Sequence, residues 1–340
     1  MNLEALYYEV KQTMERVDFS KLWPGFVPLK FALYSDSECF FDGQYVEKTD
    51  AFLGNTAILY NGEWIAIWYV QEAMDPIVLT SKMVHEMFHG FQQIHNESRF
   101  PDELEALYQY RYDAGNLDVK LTENQLLYRL TEQFDADAFE EFCQFRKYRS
   151  NAFGYEYHYE ASIEQIEGTA NFVELNCLKQ LSEERFRNKL SYMKENIINP
   201  NNLLPVRIVS YDIGALLLLV MNENGIAFDY GFSPIAFSEA MLDDVEEKVC
   251  VPKVSTGEQI ADYYAKAGEI IDRAISENNL VTDAESDLLG VNVYNAVYYK
   301  DHIISQYCVM YGSAEEPKVE YGNFVIETKE CKKLSKIYRM

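Results

Sequence analysis

His85-Glu86-Met87-Phe88-His89 decides the reading of this chain, because two imidazoles four positions apart share one face of a helix and can grip a single metal ion. The Glu between them faces the water that completes the metal's shell. The chain holds only five His, and the flanks agree with a helix. Lys82, Met83 and Val84 lead in, Met87 and Phe88 keep the motif's interior uncharged, and Gly90-Phe91 follow. This suits a buried helix whose polar groups serve the metal.

Composition sets the frame around that motif. The chain has 340 residues, 48 % of them hydrophobic and 14 % aromatic, enough to bury one large core or two modest ones. With 55 acidic against 30 basic residues the formal charge is −25, a field that repels phosphate backbones and anionic lipid, so nucleic acid is not expected as a partner. The longest apolar run, Ile213 to Met221, is far shorter than the about 20 residues a bilayer requires, so no membrane span is expected. Met1 to Ala5 carry neither a basic n-region nor an apolar h-region, and no secretory signal is expected. Six scattered Cys without CxxC pairs fit a reduced, cytoplasmic setting.

Along the chain, residues 3 to 17 read as an amphipathic helix, and Phe31-Ala32-Leu33-Tyr34 begins strand-like material. Ala57 to Tyr60 and Trp64 to Trp68 form a predicted hairpin around Asn61-Gly62, a pair that supplies the positive φ of such turns. The motif helix is expected from Ile77 to about His95. Further helices are expected at about 102 to 114, 122 to 148, 160 to 180, 183 to 196, 210 to 224, 235 to 247 and 256 to 279. Val291 to Tyr311 and Val319 to Ile326 read as strands of a terminal β-rich extension, not an independent module.

A zinc hydrolase needs a third protein ligand and one open position, where bound water is acidified toward a pKa of ~7. Three places compete for that ligand. His95 has the spacing of a His-x-x-Gly-x-x-His extension, but Gln92 stands where the turn-forming Gly belongs. Glu132, in Glu132-Gln133-Phe134-Asp135-Ala136-Asp137, looks like the Glu-x-x-Ala-Asp helix of one group of zinc peptidases, yet it lies one step, about 100°, off the required face. The third is Glu167, in Glu167-Gly168-Thr169-Ala170-Asn171-Phe172-Val173-Glu174.

That last segment resembles the Glu-Gly-x-Ala-x-Tyr-x-Glu of gluzincin metallopeptidases of the alanyl-aminopeptidase type, in which the first Glu is the third zinc ligand. Small Gly168 and Ala170 would allow close approach to the metal helix. Ser210-Tyr211-Asp212-Ile213-Gly214-Ala215-Leu216-Leu217 is similar to the Tyr-x-x-Gly-x-x-Leu-Leu of the same family, whose Tyr donates to the oxyanion. Asn55 to Gly62 resembles the edge strand on which thermolysin-like proteins pair an extended peptide. Two features depart from the family. The gap from His89 to Glu167 is longer than in the aminopeptidase branch, implying two inserted helices. No Gly-x-Met-Glu-Asn amine anchor is present, which favours endo-action or action on short peptides.

The resemblance covers about residues 50 to 225 and matches neither the first helix nor the β-rich tail; together with the pattern along the chain it implies an α+β, zincin-like catalytic domain over residues 1–285, with a sheet part at about 27–70 and a helical part at about 77–280. A β-rich segment follows at 286–340. Zn2+ would be held by His85, His89 and Glu167, with Glu86 as general base and Tyr211 at the oxyanion. The substrate would be a peptide or small amide, and the oligomeric state is left open. The rival expectations are an inactive zincin-fold peptide-binding or regulatory protein, and a zinc hydrolase of non-peptide amides or esters.

Overall fold

The computed structural model describes residues 2–340, and its element order is mixed α and β. Helix α1 (Leu3–Met14) is capped by Asn2, whose side chain accepts from the Ala5 N–H, and it buries Leu3, Leu6, Tyr7, Val10 and Met14 at helical spacing. A five-stranded sheet follows: β1 (Phe31–Tyr34), β2 (Cys39–Phe41), β3 (Gln44–Val46), β4 (Thr56–Tyr60) and β5 (Glu63–Tyr69), in the order β3-β2-β1-β5-β4. Only β1 and β5 pair in parallel. Asn61 and Gly62, at φ 51 and 83, turn β4 back on β5 as the Asn-Gly pair predicts. β4 is therefore an edge strand.

Helix α2 (Pro76–Ile94) carries the histidines. Asp75 caps it by accepting from the Ile77 N–H at 2.9 Å, and Pro76 occupies the first turn, where its missing N–H costs nothing. Gly90 faces the sheet: a Cβ there would make ordinary contact with Ala57 Cβ at 3.5 Å and would displace only the Leu29 Cδ1 methyl, 2.5 Å away. The edge strand runs beside the helix that carries His85 and His89.

The chain then becomes helical: α3 (Glu103–Gln109), α4 (Ala114–Glu132), α5 (Ala136–Ala152) and α6 (Gly154–Ile163), then a π-helical turn (Glu164–Gly168) and α7 (Thr169–Leu181). After these come α8 (Glu183–Ile198), α9 (Val206–Glu223), the single turn α10 (Phe237–Ala240) and α11 (Gly257–Glu277). The single helix expected at 122 to 148 is two. Gln133 and Asp135 are extended, and Asp135 restarts the chain as an N-cap by accepting from the Ala138 N–H at 2.8 Å. The helix expected at 235 to 247 shrinks to α10, because Asp243, Asp244, Glu246 and Glu247 crowd like charges into its continuation.

The tail forms an eight-stranded sheet from β6 (Leu280–Thr282), β7 (Ser286–Val291), β8 (Val297–Tyr299), β9 (His302–Ser305), β10 (Cys308–Gly312), β11 (Pro317–Tyr321), β12 (Phe324–Glu330) and β13 (Lys333–Arg339). The order is β11-β10-β7-β13-β12-β9-β8, with β6 also on β13. Both faces are covered. Phe324 and Ile326 pack toward Leu104, Leu107 and Tyr108 of α3, while Val325 packs with Ala267, Ile271 and Ala274 of α11. No helix among the described residues is long and apolar enough to cross a membrane.

The tightest crossing in the helical body is between the π-helical turn and α9. A Cβ on Gly168 would meet Gly214 Cα at 2.8 Å, and one on Gly214 would meet the Glu164 carbonyl oxygen at 2.8 Å. The sequence reading assigned Gly168 to contact with the metal helix. It serves α9 instead, and α2 reaches the same turn through the Gln92 side chain. Two alanine substitutions should therefore move stability in opposite directions. Gly214→Ala pushes on rigid backbone and should cost about 1–3 kcal/mol. At Gly268 in α11 a Cβ meets only Tyr299 Cε1 at 3.5 Å, so Gly268→Ala should gain about 0.5–1 kcal/mol of helix propensity. Urea denaturation of the two variants checks both signs.

Candidate metal centre

Three helices each turn one face, at positions i, i+4 and i+7, toward a common cleft of about 570 Å³. His85 and His89 of α2, Glu167, Asn171 and Glu174 of the π-helical turn and α7, and Arg207 and Tyr211 of α9 line it, while Gln92 and Gly214 continue the α2 and α9 faces beneath. The Nε2 atoms of His85 and His89 lie 3.1 Å apart. Glu167 Oε2 stands 3.3 Å from His89 Nε2 and 3.8 Å from His85 Nε2.

The π-helical turn makes that approach possible. In an α-helix Glu164 and Glu167 would share a face, whereas the widened turn separates them. Glu164 accepts from Arg146 Nη2 at 2.6 Å, and Glu167 faces the imidazoles. Behind it, α4, α5 and α6 are tied by buried ions. Glu160 accepts from Arg149 at 2.6 Å, from Lys120 at 2.7 Å and from the Tyr110 hydroxyl at 2.6 Å, while Arg149 also donates to Glu123 at 2.7 Å.

Gln92 fixes the tautomer of His89. Its Nε2 donates to the Ile166 carbonyl at 2.9 Å and to Thr169 Oγ1 at 3.1 Å, so its Oε1 is left to accept from His89 Nδ1–H at 2.8 Å. The His89 Nε2 lone pair is thereby aimed into the cleft. His85 Nδ1 faces Glu174 Oε2 at 3.4 Å, a charge contact longer than a formed hydrogen bond. Glu174 is also approached by Lys189 at 3.4 Å and Lys82 at 3.8 Å. Gln92 and Glu174 were not picked out by the sequence reading, although each lies seven positions beyond a named ligand on the same helix face.

The electrostatics favour positive charge at the centre. Burial pulls the His85 imidazole down, but its contacts with Glu167 and Glu174 outweigh this and hold its pKa at about 9. Burial would raise Glu167, yet His89, His85 and Arg207 hold it well below the usual carboxylate range. Glu86 is pushed up by burial, with His85 and His89 pulling the other way. The charged side chains lining the cleft are Glu86, Glu103, Glu167, Glu174 and Asp212 against Lys82, Lys189 and Arg207, so a dication would balance them.

The donors also fit by size. Tetrahedral ligands at 2.0–2.1 Å from zinc are about 3.3 Å apart, close to the separations among His85, His89 and Glu167, whose ligand atoms all lie within 4.8 Å of one another. The other two candidates lie elsewhere. His95 sits at the α2 C-cap with its ring stacked on Phe232, and Glu132 is ion-paired with Lys194. Tyr211 lines the cleft, its hydroxyl buried without a protein partner. Comparison with models of protein families, with curated proteins and with solved structures gives no match to this chain.

The ion network behind the π-helical turn has a measurable consequence. Burial would raise Glu160, but Arg149 and then Lys120 bring its pKa to about 2, below the ordinary 4.5. Its stabilisation is therefore complete above about pH 4.5 and fades as the pH falls toward 2. Glu160→Gln leaves two buried cations without their shared carboxylate and should lose roughly 3–5 kcal/mol at neutral pH. Denaturation curves between pH 2 and 7 should show a smaller acid slope in the variant than in the parent.

Proposed function

We propose that the chain is a zinc-dependent hydrolase of peptide bonds with a zincin-like, gluzincin-type catalytic domain, working in the cytoplasm. The observation that carries this reading is the convergence of His85, His89 and Glu167 in a cleft that also contains Glu86 and Tyr211. His85 and His89 present Nε2, and Glu167 presents Oε2, as the ligand set. Bound there, Zn2+ supplies Lewis acidity, which polarises a substrate carbonyl and makes a water acidic near neutral pH.

The protein's own groups do the rest. Glu86 takes a proton from the attacking water and later delivers it to the leaving amine; its burial-raised pKa suits a group that must both accept and give. The Tyr211 phenol, whose hydroxyl has no hydrogen-bond partner within the protein, donates to the carbonyl oxygen as negative charge develops. Gln92 and Glu174 hold the two rings in place from behind. Asn55, Thr56 and Ala57 line the cleft at the edge strand β4, whose open side can pair with an extended peptide backbone. The six free cysteines, three of them buried, are compatible with a reducing compartment.

Metal analysis of the purified chain should give one zinc per molecule, and a mixed peptide library read by mass spectrometry should be cleaved. Glu86→Gln should keep the zinc and lose about 10²–10⁴ in rate. Zinc-loaded protein that cleaves no peptide would overturn the peptidase assignment, in favour of a binding role or of non-peptide amides. A chain that takes up no zinc would overturn the metal reading itself.

A further inference from the structure

Arg207, on α9, is met by three other parts of the chain, each distant from it in sequence. Its Nε donates to Glu103 Oε1 at 2.9 Å on α3, and its Nη2 donates to Glu167 Oε1 at 3.3 Å on the π-helical turn. Its guanidinium stands 5.0 Å from the ring centroid of Tyr211, one turn along α9, and 5.1 Å from that of Tyr294. Tyr294 belongs to the connection between β7 and β8 and lines the cleft, so the C-terminal sheet supplies one wall of the site.

The two oxygens of Glu167 have different partners. Oε1 is taken by Arg207, and Oε2 faces the imidazoles. A carboxylate free to offer both oxygens would occupy two positions around a small cation, leaving less room for water or substrate. A guanidinium is planar and permanently charged, so it can hold one oxygen aside while the two aromatic rings beside it restrict its movement.

Resting on the metal reading given above, we infer that Arg207 is a positioning residue that makes Glu167 a one-oxygen ligand. Tyr294 of the C-terminal sheet keeps Arg207 in place for that task. The sheet is thus part of the metal centre, although it contributes no ligand.

Cobalt(II) is the probe, because its visible absorption reports coordination number without turnover. The full-length chain, Arg207→Lys, Arg207→Gln, Glu103→Gln and Tyr294→Ala are titrated with Co2+, with circular dichroism as the check on folding. Arg207→Gln should bind the ion about 10–100-fold more weakly, and its absorption should weaken as the coordination number rises. Arg207→Lys should fall between it and the parent. Tyr294→Ala, an exposed loop change, should shift both readouts in the same direction by a few-fold. If Arg207→Gln fails to fold, Glu103→Gln and Tyr294→Ala carry the test alone. Folded variants with the parent's affinity and spectrum would overturn the inference and leave the metal reading intact. A parent chain that binds neither Co2+ nor Zn2+ would overturn both.

Discussion

Two glycines facing each other across a helix crossing hold the site together. Without side chains at Gly168 and Gly214, the π-helical turn and α9 approach until backbone atoms touch. Helices with ordinary side chains at their contact stay about 8–10 Å apart, and at that distance the α9 face would stand back from Glu167. The close crossing sets Arg207 and Tyr211, on the same α9 face as Gly214, beside the carboxylate and opposite the imidazoles. On the other side α2 rests on the hairpin through Gly90, which faces Ala57 and Trp64.

Burying this much charge is costly unless every ion is answered, and the fold answers them in two tiers. In the outer tier, Lys120, Glu123, Arg146, Arg149, Glu160 and Glu164, every ion is buried and has an opposite charge beside it, and the network ties together the helices that lead into the π-helical turn. The inner tier around the cleft keeps an acidic surplus. A protein with a formal charge of −25 has few basic residues to spend, yet Lys82, Lys189 and Arg207 all line this one cavity. They answer part of the carboxylate charge around the two rings and leave the acidic surplus unbalanced.

The sequence was most legible where the pattern is local. His85, Glu86 and His89 lie within one turn and a half of helix, Asp75-Pro76 marks its start, and Asn61-Gly62 marks the hairpin. Glu167 was within reach only through its resemblance to a known segment, and the structure brings it within 3.3 Å of His89. The partners that tune the site were hidden, because Gln92, Glu174 and Arg207 are ordinary polar residues until the helices meet. Long-range pairing hid the rest. In β12 the run Phe324-Val325-Ile326 is apolar on both faces, so periodicity reveals a strand but not the two layers that cover it. The break at Gln133 to Asp135 escaped notice because apolar spacing continues across it; the cap at Asp135 was the available signal.

The position of β13 bears on how the molecule is made. Lys333–Arg339 lies between β7 and β12 in the middle of the C-terminal sheet. Those two strands cannot be joined into one sheet until the ribosome has released nearly every residue described here. The histidine helix, by contrast, emerges early and can pack on its own hairpin while translation continues. The wall that carries Tyr294 is then the last piece of the cavity to be installed, so a nascent or prematurely terminated chain holds the histidines in an unfinished, open groove.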